Sequence, residues 1–212
     1  MNRKELKAAA KSQIKGQILV LFLVEIVIAL VSLIPNCIPM IGSLVGAIFL
    51  APALSIAYTR IYLGVADGKK ADVSDVFGSF KDFWISFKVI FFVGLFEALW
   101  SLLFIIPGII KSFSYMLAPY IIAEDPSVGA LEAITRSRKM MDGHKMEAFV
   151  LGLSFIGWYL LIAITFGLAG IYAIPYINTT VANFYNKVNT YNKYKPADEE
   201  YEATASAAAS AE

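Results

Sequence analysis

The chain contains very little cysteine and histidine. Its 212 residues include one cysteine, Cys37, and one histidine, His144. A single cysteine excludes an intrachain disulfide and a cysteine-ligated metal site, and a single histidine excludes the common zinc motifs. The sequence also has no G-x-x-x-x-G-K-[ST] loop, no H-E-x-x-H motif and no C-x-x-C pair. We therefore expect no catalytic residues, no cofactor, no bound metal and no enzymatic activity.

Charge is scarce as well. Charged residues make up 17% of the chain and hydrophobic residues 58%, whereas a soluble domain carries about 25% charged residues. No charged residue lies between Glu25 and Arg60, or between Glu147 and Lys187. A bilayer core is about 30 Å thick and is crossed by about 20 apolar helical residues. The composition predicts an all-α, polytopic bundle of transmembrane helices. No soluble segment has a basic strip interleaved with aromatic residues, so we expect no nucleic-acid partner.

Six membrane spans fit the apolar runs. They cover residues 17–34, 40–63, 83–106, 109–123, 146–166 and 168–187. Every Lys and Arg except Lys111 then lies on one side of the bilayer, which is the cytoplasmic side by the positive-inside rule. The sequence therefore predicts a multi-pass protein of the plasma membrane with both termini in the cytoplasm.

The chain divides into three regions. Residues 1–16 form a basic amphipathic segment that we expect to lie on the membrane surface. The apolar run that follows is longer than the core of a signal peptide and precedes no A-x-A-like site, which predicts an uncleaved signal anchor. Residues 17–187 form the membrane domain and residues 188–212 a cytoplasmic tail. We expect disorder from about residue 196, because residues 196–212 contain five acidic residues, no basic residue and no apolar face.

Two connections on the cytoplasmic side are predicted to be short amphipathic helices that lie at the membrane interface. In residues 72–82, apolar residues recur at helical spacing. In residues 125–143, Asp125 is a candidate N-cap, Pro126 stands at the first helical position and Gly143 is a candidate stop. The apolar positions of the first segment are Val73, Val76, Phe77 and Phe80.

The spans contain an internal repeat. Residues 24–35 read VEIVIALVSLIP and residues 96–107 read FEALWSLLFIIP, so Glu25 and Glu97 each stand ten residues before a proline. A third hairpin, residues 148–187, lacks the glutamate. We infer three helical hairpins in one orientation. Parallel repeats of this kind occur in transporters and also in proteins that transport nothing.

Several segments resemble a known family. The most specific are SRKMMDGHK at 137–145 and LSFIGW at 153–158, and residues 107–126 and 175–185 add to them. Together they resemble the domain of unknown function 975 family of bacterial integral membrane proteins over about residues 5–190. The resemblance implies a multi-span bacterial membrane protein and supplies no activity, cofactor or catalytic residue.

Glu25, Glu97 and Lys111 are the candidates for a polar site inside the membrane. Ten helical residues span about 15 Å, so both glutamates are expected near the midplane, where an ionised group costs about 3 kcal/mol and usually faces the bundle interior. The site would suit a proton, a cation or an amine. Alternatively, the glutamates are neutral or paired with hydroxyls such as those of Ser114 and Tyr115, and serve packing alone.

Pro52, Pro119 and Pro175 are candidate helix breaks within the returning spans. Each proline frees the carbonyl four residues earlier. Freed carbonyls can bind ions or substrates, or they can be satisfied by neighbouring side chains.

A basic cluster follows the fourth span, and it is a candidate site for anionic lipid headgroups on the cytoplasmic side. The alternative is the ordinary positive-inside belt. Its members are Arg136, Arg138, Lys139, His144 and Lys145.

Two functions remain open. The first is a non-enzymatic membrane scaffold, accessory or envelope-associated protein that acts through lipids, membrane-protein partners or a second copy of itself. The second is a small-solute or ion transporter or channel that uses Glu25, Glu97 and the proline-broken helices.

Overall fold

The computed structural model describes residues 2–37, 46–103 and 105–193. Within these ranges the chain is helical throughout, with turns between the helices and no β-strand. The predicted all-α class is thus confirmed. The predicted disordered tail, from about residue 196, lies outside the described residues.

The N-terminal segment is a helix of its own. Helix α1 (Arg3–Ile14) begins after Asn2, whose side chain accepts a hydrogen bond from the Lys4 backbone N–H at 3.1 Å. A turn follows in which Gly16 has a φ of +87°, a conformation that glycine adopts without steric cost. Helix α2 (Ile18–Leu33) then leaves at 88° to α1. The basic segment and the first apolar run are therefore separate, nearly perpendicular helices.

The next helix forms the centre of the molecule. After α2 comes a 3-10 turn (Ile34–Cys37), and a π-helical turn (Gly46–Leu50) leads into α3 (Ala51–Ala66). Gly46 is required by close packing, because a Cβ there would lie 2.7 Å from the ring of Pro35. Helix α3 is buried along most of its length and packs against α1 and four later helices.

The first amphipathic connection is shorter than expected. It forms α4 (Asp75–Gly78) and a 3-10 turn (Ser79–Asp82), which lead directly into α5 (Phe83–Leu103). Val76 is fully buried, whereas Phe77 is 54% exposed. Val73 and Phe80 are partly buried and pack against the core, so Phe77 is the member of the predicted stripe that does not. The segment is the start of a long helical stretch.

The fourth predicted span is broken. Helix α6 (Ile105–Tyr115) packs along α5, and α7 (Ala118–Glu124) follows after a turn at Met116 and Leu117. The crossing of α5 and α6 is close, since a Cβ on Gly108 would lie 2.9 Å from the Cα of Ser101.

The second amphipathic helix begins later than predicted. Helix α8 spans Ala130–Met140, and Gly129 is its N-cap residue. The prediction that Asp125 caps this helix was wrong. Its carboxylate accepts hydrogen bonds from the backbone N–H and the hydroxyl of Ser127, at 3.0 and 2.6 Å, and so closes a local turn. Gly143 has a φ of +78° just beyond the helix end.

The last three helices are α9 (Lys145–Leu153), α10 (Ile156–Ile164) and α11 (Gly170–Lys193). The reversal between α10 and α11 includes Phe166 and Gly167, which both have positive φ. This reversal lies at the boundary between the predicted spans 146–166 and 168–187. Helix α10 has no buried residue, whereas α11 packs on α1 and α3.

Two helical stretches in the described part of the chain are long and apolar enough to cross a membrane. They are Asp75–Leu102 and Lys145–Ile164. The bent pair of α1 and α2 would give a third if its two helices are taken as one span.

Candidate functional site

The first candidate site is built around Glu25, on α2. One carboxylate oxygen of Glu25 accepts hydrogen bonds from the hydroxyls of Tyr58 at 2.8 Å and Tyr62 at 2.6 Å. Tyr58 and Tyr62 lie one turn apart on α3, so both point to the same helix face. The side-chain amide of Asn178, on α11, donates to the Tyr58 hydroxyl at 2.6 Å. We call these four residues the Glu25 cluster, and it joins three helices through polar side chains.

The hydroxyls named from the sequence are not the partners of Glu25. The Ser114 hydroxyl donates to the Ile110 carbonyl of its own helix, and the Tyr115 ring packs beside Phe96. Tyr58 and Tyr62 were missed, although their i, i+4 spacing on the returning helix is a visible signal for a shared face.

Glu97 does not belong to this cluster. It lies on α5 and is partly exposed, and among the described residues its carboxylate makes no hydrogen bond or ion pair. The repeat therefore gives its two glutamates different surroundings. Lys111 contacts neither of them. Its ammonium lies 4.6 Å from the centre of the Trp100 ring.

Lys111 instead helps to line the second candidate site, a groove between α6 and α8. A cleft of about 330 Å³ there contains four basic side chains and one acidic one. A second cleft of about 390 Å³ adjoins it and is mainly aromatic and aliphatic. Both clefts are lined by Lys111, Thr135 and Arg138. We call the two together the basic groove. The charged part is completed by Lys139, Lys145, Asp142 and Ser114, and the apolar part by Phe96, Trp100, Tyr115, Leu131 and Ile134.

The basic cluster predicted from the sequence is divided by the structure. Arg138, Lys139 and Lys145 line the basic groove. Arg136 faces elsewhere and pairs with Glu132 at 2.6 Å. His144 lies 2.9 Å from a carboxylate oxygen of Glu147. Sequence proximity alone could not separate these two subsets, because the separation depends on which face of α8 is covered.

The three prolines have different positions. Pro52 stands at the second residue of α3, after the π-helical turn, and Pro119 at the second residue of α7. Pro175 lies inside α11, which continues through it. A proline removes one N–H and displaces one carbonyl, and the hydrogen bonds on either side can still hold the helix.

The turn that precedes Pro119 is bound by a neighbouring helix. The hydroxyl of Ser137, fully buried on α8, donates to the Ser114 carbonyl at 2.8 Å and accepts from the Leu117 N–H at 3.2 Å. One side chain thus binds both sides of the turn between α6 and α7. Helix α8 therefore satisfies backbone groups on both sides of this turn.

Polar contacts also tie α1 to the rest of the molecule. The Lys7 ammonium donates to the Ser154 carbonyl at 3.2 Å and lies over the Phe155 ring, and burial lowers the pKa of Lys7. The Gln13 side chain bonds to that of Asn183. Hydrogen bonds from Lys187 and Asn2 hold the pKa of Glu5 below its usual range.

Comparison with known proteins identifies a family and nothing more specific. A family model described as "Protein of unknown function (DUF975)" matches residues 1–114 and 102–192. No curated protein and no solved structure matches the chain.

Proposed function

The chain belongs to the DUF975 family of proteins of unknown function, and we propose that it is a non-enzymatic integral membrane protein that acts through lipids or protein partners. In this proposal, six spans arranged as three hairpins cross the plasma membrane of a bacterial cell, and both termini are cytoplasmic. The role is that of a scaffold, accessory subunit or envelope-associated factor.

The observation that carries the proposal is the apolar surface of the helices. No residue of α10 is buried, and Leu160, Ile164 and Phe166 are 62%, 67% and 99% exposed. An apolar surface along a whole helix is unfavourable in contact with water, whereas lipid acyl chains solvate it well. The stretch Lys145–Ile164 is also long enough to cross a bilayer.

Contacts among the polar segments support an even number of crossings between them, which the six-span topology has. The proposal places residues 1–16, the connection after α3, the end of α7 and the end of α11 on the cytoplasmic side. These segments contact one another. The bonds are Arg60 to Asp82 and to the Ala123 carbonyl, Asn186 to Asp67, Asn189 to Glu124 and Lys187 to Glu5. A topology with an odd number of spans would put some of these partners on opposite sides.

Lys111 was the exception to the charge asymmetry. It lines the same groove as Arg138, Lys139 and Lys145, which are cytoplasmic in the proposal. The structure thus brings Lys111 beside these residues, whereas a span over residues 109–123 would place it near the outer turn at residues 107–108.

Site-directed labelling tests the proposal. In a Cys37→Ser background, single cysteines replace Ser127, in the connection after α7, or Leu168, in the turn after α10. A membrane-impermeant maleimide should label Leu168→Cys in intact cells and Ser127→Cys only after permeabilisation. Labelling of Ser127→Cys in intact cells would overturn the topology. Recovery of the protein in the soluble fraction after carbonate extraction would overturn membrane insertion itself.

A transporter of ions or small solutes is the second candidate, and the Glu25 cluster favours it. A carboxylate held between helices by two hydroxyls is the type of group that relays protons or binds cations in membranes. The test is flux into proteoliposomes with Glu25→Gln as the variant. Loss of a measurable flux in that variant would support transport, and absence of flux in the unmodified protein across protons, Na⁺ and K⁺ would count against it.

A further inference from the structure

Three of the four cations of the basic groove form no ion pair in the described part of the chain, and the fourth has a long one. None of Lys111, Arg138 and Lys139 forms a salt bridge there, and Lys145 reaches Asp142 only at 4.0 Å. Asp142 is itself 87% exposed, so water screens it. By contrast, Arg136, two residues from Arg138, is paired with Glu132 at 2.6 Å.

The position of Lys111 argues against a purely structural explanation. Arg138 and Lys139 stand in the last turn of α8, where the helix dipole favours positive charge. Lys111 belongs to a different helix, so the last turn of α8 does not explain why it lies there. Its ammonium lies 4.6 Å from the centre of the Trp100 ring, which offsets part of its charge. Lys111 and Arg138 are still like charges in one groove, and an anion between them would offset their repulsion.

The adjoining cleft limits what that anion is. Leu131, Thr135 and Arg138 recur at helical spacing along α8, so one face of the helix changes from apolar to cationic along its length. Trp100 and Phe96 extend the apolar part on α5. A free phosphate would use the cationic part alone, whereas a phospholipid matches both parts.

We infer that the basic groove binds a phospholipid with a net negative headgroup. The phosphate contacts Lys111 and Arg138, and an acyl chain lies against Trp100, Phe96 and Leu131. This inference rests on the proposed membrane function and names the ligand class through which it acts.

Trp100 provides a direct readout. The chain has three tryptophans, and Trp84→Phe with Trp158→Phe leaves Trp100 as the reporter in the groove. The full chain is reconstituted in phosphatidylcholine vesicles that contain a small fraction of brominated phosphatidylglycerol or brominated phosphatidylcholine. We expect phosphatidylglycerol to quench Trp100 with at least about fivefold stronger apparent binding. A reporter that keeps only Trp84, which lies on α5 outside the groove, should show about equal quenching by both lipids.

Charge variants test the assignment to the groove. In the double variant Lys111→Gln with Arg138→Gln, the two brominated lipids should quench Trp100 almost equally. Arg136→Gln removes an arginine outside the groove and should keep the preference for phosphatidylglycerol. Lys111→Arg with Arg138→Lys retains both charges and should also keep it, which separates loss of charge from loss of folding. Inorganic phosphate at about 10 mM should not abolish the preference, because it lacks the acyl contacts.

Three outcomes would overturn the inference: equal quenching of Trp100 by both lipids, equal losses in Arg136→Gln and in the groove variant, or complete displacement by inorganic phosphate. Failure of the chain to insert into vesicles at all, measured by flotation, would instead overturn the proposed membrane function. The two failures are therefore distinguishable.

Discussion

The carboxylate of Glu25 is held by two tyrosine hydroxyls that lie one turn apart on α3. Each hydroxyl is a donor that an apolar neighbour could not replace, and Tyr62 is almost fully buried. The distances between donor and acceptor are those of good hydrogen bonds. At this scale, α2 and α3 are linked by polar side chains, although both helices are mainly apolar.

We therefore expect Tyr62→Phe to destabilise the protein by about 1–3 kcal/mol, the range for hydrogen bonds to carboxylates. The measurement is thermal unfolding in detergent micelles. Tyr159→Phe is the matched control, because its ring is exposed on α10 and its hydroxyl has no partner in the described chain. Equal midpoints for the two variants would contradict the prediction.

The two glutamates of the repeat should respond differently to truncation. Glu25→Ala leaves two tyrosine hydroxyls without their acceptor, whereas Glu97→Ala removes a carboxylate with no described partner. We expect the first variant to lose about 1–3 kcal/mol more stability than the second. Unfolding midpoints of the two proteins, compared under the same detergent conditions, measure the difference. Equal losses would show that the two glutamates of the repeat contribute alike, and a larger loss for Glu97→Ala would contradict the prediction.

At the scale of helices, the crossings depend on single small residues. Gly108 allows α6 to approach α5 closely, since a Cβ there would lie 2.9 Å from the backbone of Ser101. Backbone atoms cannot rotate away as a side chain can. Ser137 likewise binds both ends of the break between α6 and α7.

Gly108→Ala should therefore cost about 1–3 kcal/mol through overpacking. Gly94→Ala, in α5, is the matched control, because nothing lies within 4 Å of the added Cβ. Alanine is a better helix former than glycine by up to about 1 kcal/mol, so the control should be neutral or slightly more stable. If Gly108→Ala unfolds at the same temperature as Gly94→Ala, the close crossing is absent.

Attachment of α1 to α11 should depend on pH through Glu5. Its pKa lies below the usual range, because Lys187 and Asn2 hydrogen-bond to the ionised carboxylate. A lowered pKa means that this contact is fully present above the ordinary value for glutamate and is lost as pH falls through the lowered one. A spin label at Ser12, on the exposed side of α1, should become more mobile as the pH falls below the ordinary pKa of glutamate. In Glu5→Gln the mobility should be higher at neutral pH, and this acid-dependent step should be absent.

At the scale of the whole molecule, the apolar runs predicted the helical class and a boundary near Gly167, because both depend on local sequence. The hydrogen-bond partners of individual side chains could not be predicted from the sequence. The hydrogen bonds between Glu25 and the hydroxyls of Tyr58 and Tyr62 depend on the position of α3 relative to α2. The spacing of residues along the sequence does not determine that position. The late start of α8 followed from the turn that Asp125 closes, since an Asp-Pro-Ser sequence suits a cap and a turn equally.

The sequence also could not show that the predicted basic cluster divides into residues that line the groove and residues that do not. Arg136 and Arg138 are two residues apart, and their helix faces differ by about 200°. Only the packing of α8 against α5 and α7 decides which of them lines the groove.

The end of α11 gives a final prediction about the molecule as a unit. Residues 183–189 bond to α1, to the connection after α3 and to the end of α7, and Val188 is fully buried among them. Burial of a valine alone contributes about 1.5–3 kcal/mol. A chain that ends after Tyr185 should therefore lose folded yield, measured as the monodisperse fraction in size-exclusion chromatography. A chain that ends after Lys195 keeps every one of these contacts, so it should insert and unfold like the full chain. A clear loss of yield in this longer chain would mean that residues 196–212 contribute to folding.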